Sequence, residues 1–269
     1  MSESGVPDTQ DLIAEVRQAR IADSIQELGF ARVTELADRY GVSAVTVRND
    51  LSILEGRGEV RRVRGGAVKS SAKLGERAFE VSLGEFAKEK ADIGAFAASM
   101  ISSGETVMLD VGTTTTAVAR ALLQRTELED VTVVTNGLNV AMELERAAPR
   151  ISVIVTGGTL RPLQHSLVNP MGTTLLERLR GSVAFIGCNG IDAGAGVTNV
   201  NLPEAEIKRA MLLGCRRRVI VADGSKVGEV ELAKVCDIGE INMLITDPGA
   251  DPEVTTMIAA LGCHVEAVR

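Results

Sequence analysis

The sequence predicts an α/β protein in two parts: a small N-terminal helical unit closed by a basic β-hairpin, and a larger, mainly parallel α/β unit behind it. Three observations carry this. Val42-Ser43-Ala44-Val45-Thr46-Val47-Arg48-Asn49-Asp50-Leu51 opens a helix almost directly after a helix-stopping glycine, Gly41. Arg61-Arg62-Val63-Arg64-Gly65-Gly66 has the composition of a basic hairpin. From about residue 85 onward, apolar runs alternate with helical stretches, the pattern of a parallel sheet covered on both faces. A chain of 269 residues is long enough for two domains. The boundaries are expected at 1–69 and 85–269, with the small, polar, mixed-charge stretch 70–84 as linker.

Within the first unit, Leu12, Val16, Ile21, Ile25 and Leu28 form an apolar stripe for a first helix that Gly29 ends. Thr34 is the expected N-cap of a short second helix with Leu36, Ala37 and Tyr40 inward and Gly41 as its stop. Ser43 then caps a third helix after a very short turn, the layout of a helix-turn-helix. With Val47, Leu51 and Leu54 inward, a step of about 100° per residue turns Val45, Thr46, Arg48, Asn49 and Ser52 outward. Such side chains suit base edges in a major groove: Arg bonds guanine, Asn bonds adenine, and a Val or Thr methyl meets a thymine methyl. Ser43 lies at the tip of that face. Glu59–Val68 reads as two strands turned by Gly65-Gly66, with Arg61, Arg62 and Arg64 placed for phosphates or a minor groove. A helical oligomerisation module with a solvated face is the plainer alternative.

A net charge of −7 argues against general coating of nucleic acid. Between Arg39 and Lys69, however, seven basic residues (Arg39, Arg48, Arg57, Arg61, Arg62, Arg64, Lys69) stand against Asp50, Glu55 and Glu59. A basic patch on an acidic body suits local phosphate contact. No apolar run reaches the roughly 18 residues of a membrane span, and the polar N-terminus has no signal-peptide pattern. The four cysteines are far apart in apolar surroundings and only two histidines are present, so neither disulfides nor a metal or other cofactor is expected, and a cytoplasmic location is.

Residues 33–68 closely resemble the winged helix of the DeoR family of bacterial transcriptional regulators. The likeness rests on Val42-Ser43, Thr46-Val47-Arg48-Asn49-Asp50-Leu51, Leu54-Glu55 and Arg62-Val63-Arg64-Gly65-Gly66-Ala67. It implies a double-stranded DNA operator as partner. The family usually shows a second arginine where Asn49 stands here, a departure that bears on operator preference.

In the second unit the expected strands are Thr106–Leu109, Val131–Val134, Ile151–Val155, Val183–Ile186, Arg218–Val221 and Met243–Ile245. Helical stretches fall between them, among them Thr116–Arg125, Leu138–Ala147 and Pro203–Leu213, after one entered near Glu85. The strands run out into Asp110 with Gly112-Thr113-Thr114-Thr115, Thr135-Asn136, Gly157-Gly158, Gly187-Cys188-Asn189-Gly190, Asp223-Gly224-Ser225-Lys226 and Thr246-Asp247. Glycines, hydroxyls and single charges thus gather at the carboxyl edge of the sheet, where open α/β domains bind ligands. Gly-Thr-Thr-Thr opening a helix offers backbone N–H groups, hydroxyls and a positive helix end to a phosphate, with Lys226 as counter-charge. Asp110, Asn136 and Asp247 are candidates for sugar hydroxyls. Each has a duller reading: a helix cap for the threonines and aspartates, a close strand passage for Gly157-Gly158, a solvated side chain for Lys226. His165 reads as a surface residue. Neither a Walker-type nor a dinucleotide glycine loop is present.

The resemblance continues through Glu89-Lys90, Asp110-Val111-Gly112-Thr113-Thr114, Val134-Thr135-Asn136, Gly157-Gly158, Asp223-Gly224-Ser225-Lys226 and Ile245-Thr246-Asp247, which look like the DeoR sensor domain. That domain is similar in fold to ribose-5-phosphate isomerase. The resemblance implies a phosphorylated sugar as effector, with its phosphate at residues 112–115 near Lys226, control of carbohydrate genes by a repressor, and a homo-oligomer, dimer or tetramer. One departure is Asn169 in Ser166–Pro170, where the family commonly has glycine. A sugar-phosphate isomerase carrying a DNA-binding extension is the competing class. It needs a positioned base and a partner for the enediolate, and the comparable segment keeps Asp192 but no paired carboxylate and no lysine before Pro203. Glu204, Glu206 and Lys208 on the following helix read equally well as an exposed face.

Overall fold

Helices α1 (Thr9–Leu28), α2 (Val33–Tyr40) and α3 (Ala44–Gly56) and strands β1 (Phe30–Arg32), β2 (Val60–Val63) and β3 (Gly66–Lys69) make up the first unit in the computed structural model. The chain separates into two units, Met1–Ala78 and Phe79–Arg269. The structure describes residues 9–56, 60–63, 65–69 and 76–269.

Gly29 (φ +76) ends α1, its N–H returning to Ile25 O at 2.9 Å. The inward face of α1 differs from the expected stripe. Ile21 and Ile25 are buried, together with Gln18 and Ala22, whereas Val16 and Leu28 are 54% and 65% exposed. Residues 16 and 21 are five apart, which turns them about 140° from each other; the buried set keeps to steps of three and four. Leu12 lies outside the described side chains. The cap of α2 is Arg32, in extended conformation, and not Thr34, which is already helical. Glu35 reaches back to accept from Arg32 N at 3.2 Å. Gly41 (φ +64) closes α2, its N–H donating to Ala37 O.

Ser43 caps α3, accepting from Thr46 N at 3.1 Å. Val47, Leu51 and Leu54 pack with Ile21, Ile25, Leu36, Val60 and Ala67 into the core of the unit. Asp50, counted from the sequence only as a charge, is buried against α1, taking Arg17 Nε at 2.7 Å and Gln18 Nε2 at 3.0 Å. Ser43→Ala should therefore cost about 0.5–2 kcal/mol of α3 stability, read as faster hydrogen exchange in its first turn.

The wing is a three-stranded antiparallel sheet in the order β1-β3-β2. Its third member, β1, leaves no mark in the sequence pattern, three residues being too few for a periodic signal. Val63 pairs with Gly66, so Gly65 (φ +86) alone of the two glycines serves the turn. Gly66 is small for another reason. A Cβ there would stand 2.3 Å from Ala31 O, so its absence lets β1 approach.

The second unit begins with α4 (Phe79–Gly84) and α5 (Ala87–Ser99), α4 occupying part of the stretch expected as linker. There follow β4 (Thr106–Leu109), α6 (Thr113–Gln124), β5 (Val131–Thr135), α7 (Leu138–Glu145) and β6 (Ile151–Val155). A hairpin of β7 (Thr159–Arg161) and β8 (Ser166–Val168) precedes α8 (Met171–Leu176) and β9 (Gly181–Ile186). Then come β10 (Gly190–Asp192), β11 (Gly196–Asn199), α9 (Leu202–Leu213) and β12 (Cys215–Val221). The chain ends with β13 (Ala233–Cys236), β14 (Met243–Thr246), α10 (Pro252–Ala260) and β15 (His264–Ala267).

Seven strands form one parallel sheet in the order β15-β14-β12-β9-β4-β5-β6. Period-two alternation divides its side chains between two cores. Val107, Leu109, Val133, Val183, Phe185, Val219 and Val221 pack with buried residues of α5, α6 and α7. Met108, Val134, Ala184, Ile186 and Ile220 pack with those of α8, α9 and α10. The central strands are covered on both faces, which is why they read as near-continuous apolar runs. From β4 the order proceeds one way through β5 and β6, and from β9 the other way through β12, β14 and β15. By the rule for open α/β sheets, such a reversal leaves a crevice at the carboxyl ends of the strands where it occurs, here β4 and β9. The strands β10, β11 and β13 form a separate antiparallel sheet.

Candidate functional site

In the first unit, Val45, Arg48, Asn49 and Ser52 lie exposed on the outer face of α3, with Thr46 half-buried beside them and Ser43 exposed at its start. The Arg48 guanidinium has no hydrogen bond or ion pair with any described residue. The wing flanks this face. Arg62 N donates to Glu55 Oε1 at 2.8 Å, and Arg62 Nη1 to Ser52 Oγ at 2.5 Å. One arginine of the hairpin is thereby laid against the helix. The side chain of Arg61, and Arg64 as a whole, lie outside the described residues.

In the second unit, four strand ends converge on the crevice between β4 and β9. Gly112 is the N-cap of α6 and supplies no side chain to its first N–H groups, so that helix end can receive an anion. Of the threonines, Thr115 and Thr116 turn their hydroxyls back onto Gly112 O at 3.1 and 2.7 Å. Thr113 and Thr114 keep theirs free of partners among the described residues, whereas Thr115 has only its backbone to offer. Lys226 ends a 3-10 turn (Gly224–Lys226) beyond β12, half-buried, its ammonium likewise without a hydrogen-bond partner there.

Several expected ligand residues are instead committed to the protein itself. Asp110, 0% exposed, accepts Gly187 N on Oδ1 at 3.0 Å and the Lys208 ammonium on Oδ2, which ties the end of β4 to that of β9. Asn136 accepts Val111 N at 2.9 Å and donates to Leu167 O at 3.1 Å. Thr135 Oγ1 accepts Gly137 N at 3.0 Å. Asp247 holds Gly224 N at 2.6 Å and Gly249 N at 2.7 Å. Satisfying these N–H groups is what their polarity does within the fold. A Cβ on Gly158 would lie 2.0 Å from Val168 O, so its bareness serves strand passage, and Gly157 (φ +69) makes the bend before it.

Residues that the sequence did not assign to the effector lie beside these strand ends. Lys208 and Glu204 are buried, which removes the exposed-face alternative for them, while Glu206 is exposed and accepts from Asn169 Nδ2. The wheel of α9 could have found them: Glu204 and Lys208 are a turn apart and continue into Met211 and Leu212, all buried. Burial alone would lower the Lys208 ammonium, but the carboxylates of Asp110 and Glu204 carry it above the ordinary lysine range. Burial in turn pushes the Asp110 carboxyl up, against the pull of Lys208. Lys90 donates to Ser82 O at 2.7 Å and Glu85 O at 2.8 Å. Burial holds it below the usual lysine value, Asp223 opposing and Lys226 adding to that effect. Burial drives the Cys188 thiol up to about 12, which keeps it protonated and unreactive. Asp192 works in the β10–β11 turn, accepting Gly194 N and Ala195 N at 2.8 Å each. The crevice offers an anion a helix end and lysine charge.

The model of the DeoR C terminal sensor domain matches residues 85–248, and that of the DeoR-like helix-turn-helix domain matches residues 17–73. The chain is 32% identical over 251 residues to the HTH-type transcriptional regulator GlpR of Haloferax volcanii, covering 93% of this chain and 96% of that protein. It is 29% identical over 233 residues to the lactose phosphotransferase system repressor of Staphylococcus epidermidis, covering 86% and 91%. Among solved structures, ribose 5-phosphate isomerase A of Methanocaldococcus jannaschii overlaps 53% of this chain and 55% of its own, at 15% identity and a TM-score of 0.40.

Proposed function

The chain belongs to the DeoR family of helix-turn-helix transcriptional regulators with a C-terminal sensor domain, and from that premise we propose that it is a repressor of carbohydrate-metabolism genes released or engaged by a phosphorylated sugar. Its named relatives are regulators, one of them a repressor of a lactose phosphotransferase system, and the enzyme reading is set aside on that ground. A sensor unit of ribose-5-phosphate-isomerase type accords with the sequence resemblance.

The observation that carries the reading is the pairing of two prepared surfaces in one chain. One is a helix face with exposed Asn49 and an Arg48 without a partner among the described residues; the other is a switch-point crevice with a helix end that no side chain caps and a Lys226 likewise without a hydrogen-bond partner among them. Val45, Thr46, Arg48 and Asn49 meet base edges, while Ser43, Ser52, Arg62 and the rest of the wing meet the backbone. Gly112, Thr113, Thr114 and Lys226 take the phosphate, with Thr115 contributing its N–H. Asp110, Thr135, Asn136 and Asp247 hold these groups in place. Two-fold pairing of protomers would match repeated half-sites.

Thermal-shift screening of the purified chain against phosphorylated sugars tests the sensor half, because a ligand that binds only the folded state raises the melting point. Lys226→Ala should reduce the response of DNA binding to an active sugar phosphate at least fivefold while leaving effector-free DNA affinity within twofold. A normal effector titration in a gel-shift assay of that variant would place the phosphate elsewhere. Failure of the intact protein to bind duplex DNA at low ionic strength would sink the regulator reading.

A further inference from the structure

Beneath the crevice a line of charges runs to the helix that stands first in the sensor unit. Lys208 meets Asp110 at the end of β4. One turn earlier on α9, Glu204 accepts from Arg161 of β7 and from Ser166 Oγ of β8, the latter at 2.5 Å. Arg161 and Ser166 pair across the β7–β8 hairpin. The loop of this hairpin carries His165 at φ +55, a conformation uncommon outside glycine that persists where the surroundings impose it. They do so from two sides. His165 O accepts from Leu138 N, the first residue of α7, at 3.0 Å. The His165 ring stands edge-on to Phe79, with centroids 5.7 Å apart, and its Nε2 lies 2.6 Å from Glu80 Oε1. Phe79 N also donates to Leu163 O at 3.0 Å. The hairpin thus grips the start of α4, while Lys90 grips its end through Ser82 O and Glu85 O. In sequence, α4 follows directly on the stretch that leaves the DNA-binding unit.

We propose that the β7–β8 hairpin, acting through His165 as a positioning residue, couples occupancy of the crevice to the DNA-binding unit, with α4 as the element that moves. The coupling rests on the effector reading above for what fills the crevice; the latch itself does not. An anion at the start of α6 and Lys226 gives Lys90 and Lys208 a competing acceptor. Lys90 then loosens its hold on Ser82 and Glu85, and any change at Lys208 passes through Glu204 and Arg161 to the hairpin. Two states of α4 that differ in effector affinity are enough to link the sites.

The test uses the full chain as His165→Ala and Glu80→Gln, with His264→Ala as control, since His264 and Glu266 form a comparable exposed pair (3.4 Å) on β15. The DNA is a duplex selected from a random pool with the wild-type protein. In effector-free protein, His165→Ala should speed hydrogen exchange across 79–84 at least tenfold and change DNA affinity at least threefold. Glu80→Gln should move both in the same direction by less and carries the test if His165→Ala does not fold; His264→Ala should move neither. With ribose 5-phosphate or fructose 6-phosphate, whichever shifts wild-type DNA affinity, His165→Ala should bind the compound within twofold of wild type yet show a shift at least threefold smaller. Unchanged exchange in α4 overturns the latch, and freed α4 with wild-type DNA affinity overturns the coupling. If neither sugar phosphate binds the wild type, the effector reading loses support while the effector-free measurements still decide the latch.

Discussion

Lys208→Met is expected to destabilise the sensor unit by about 3–5 kcal/mol, the cost of leaving a buried carboxylate without its counter-ion. Asp110 is fully enclosed and takes the Lys208 ammonium on one oxygen, so no water can replace that partner. For a unit of this size the loss corresponds to a fall in melting temperature of roughly 6–20 °C. The pH dependence has a definite sign. In the variant, burial acts on Asp110 unopposed, and its folded-state pKa rises further above the unfolded value. A group so shifted contributes stability that is complete below the unfolded pKa and is lost as pH rises through the folded one. The deficit against wild type should therefore be largest near neutrality and shrink as the pH falls toward the ordinary carboxylate range. Lys208→Met combined with Asp110→Asn should recover most of the loss, because removing both charges ends the desolvation penalty while the amide oxygen still accepts Gly187 N. A single variant as stable as wild type at pH 7 would show that the pair does not carry opposite charges.

Arg48→Ala should weaken specific DNA binding by about 1–3 kcal/mol, or roughly 5–150-fold, and relax the preference at one base pair. The side chain is exposed and has no partner among the described residues, so folding stability should stay within about 0.5 kcal/mol of wild type and the loss belongs to the complex. Arg62→Ala offers the contrast. A phosphate contact should lose affinity evenly across sequences and lower the slope of log K against log salt by about 0.9. Gel-shift titrations on a selected site and on point variants of it separate the two behaviours; unchanged affinity for Arg48→Ala would remove it from the reading face.

Patterning made the fold legible wherever an element was long enough to show a period. The helix-turn-helix was readable because Gly41 and Ser43 bracket a short turn and Val47, Leu51 and Leu54 repeat at helical spacing. The strands of the parallel sheet were readable because its central strands are covered on both faces and run nearly continuously apolar. Elements of three residues, such as β1, β7, β8 and β10, fall below any periodic signal. At the site, Gly112–Thr115 and Lys226 stood out because glycine, hydroxyl and charge follow directly on an apolar strand.

The sequence by itself determined the two-unit architecture, the outward face of α3 and the strand ends where polar groups collect, because these depend on local periodicity and on where a chain must leave a sheet. Only the tertiary structure decided which polar groups are free. Asp110, Thr135, Asn136 and Asp247 look like ligands in one dimension, but Asp110, Asn136 and Asp247 each hold an N–H or ammonium brought from a distant segment, and Thr135 holds Gly137 N two residues on. Lys208, for which the sequence left an exposed helix face open, lies 98 positions from the aspartate it neutralises. Desolvation is the reason: a buried polar atom must find a partner wherever the fold supplies one, and the identity of that partner is a property of packing.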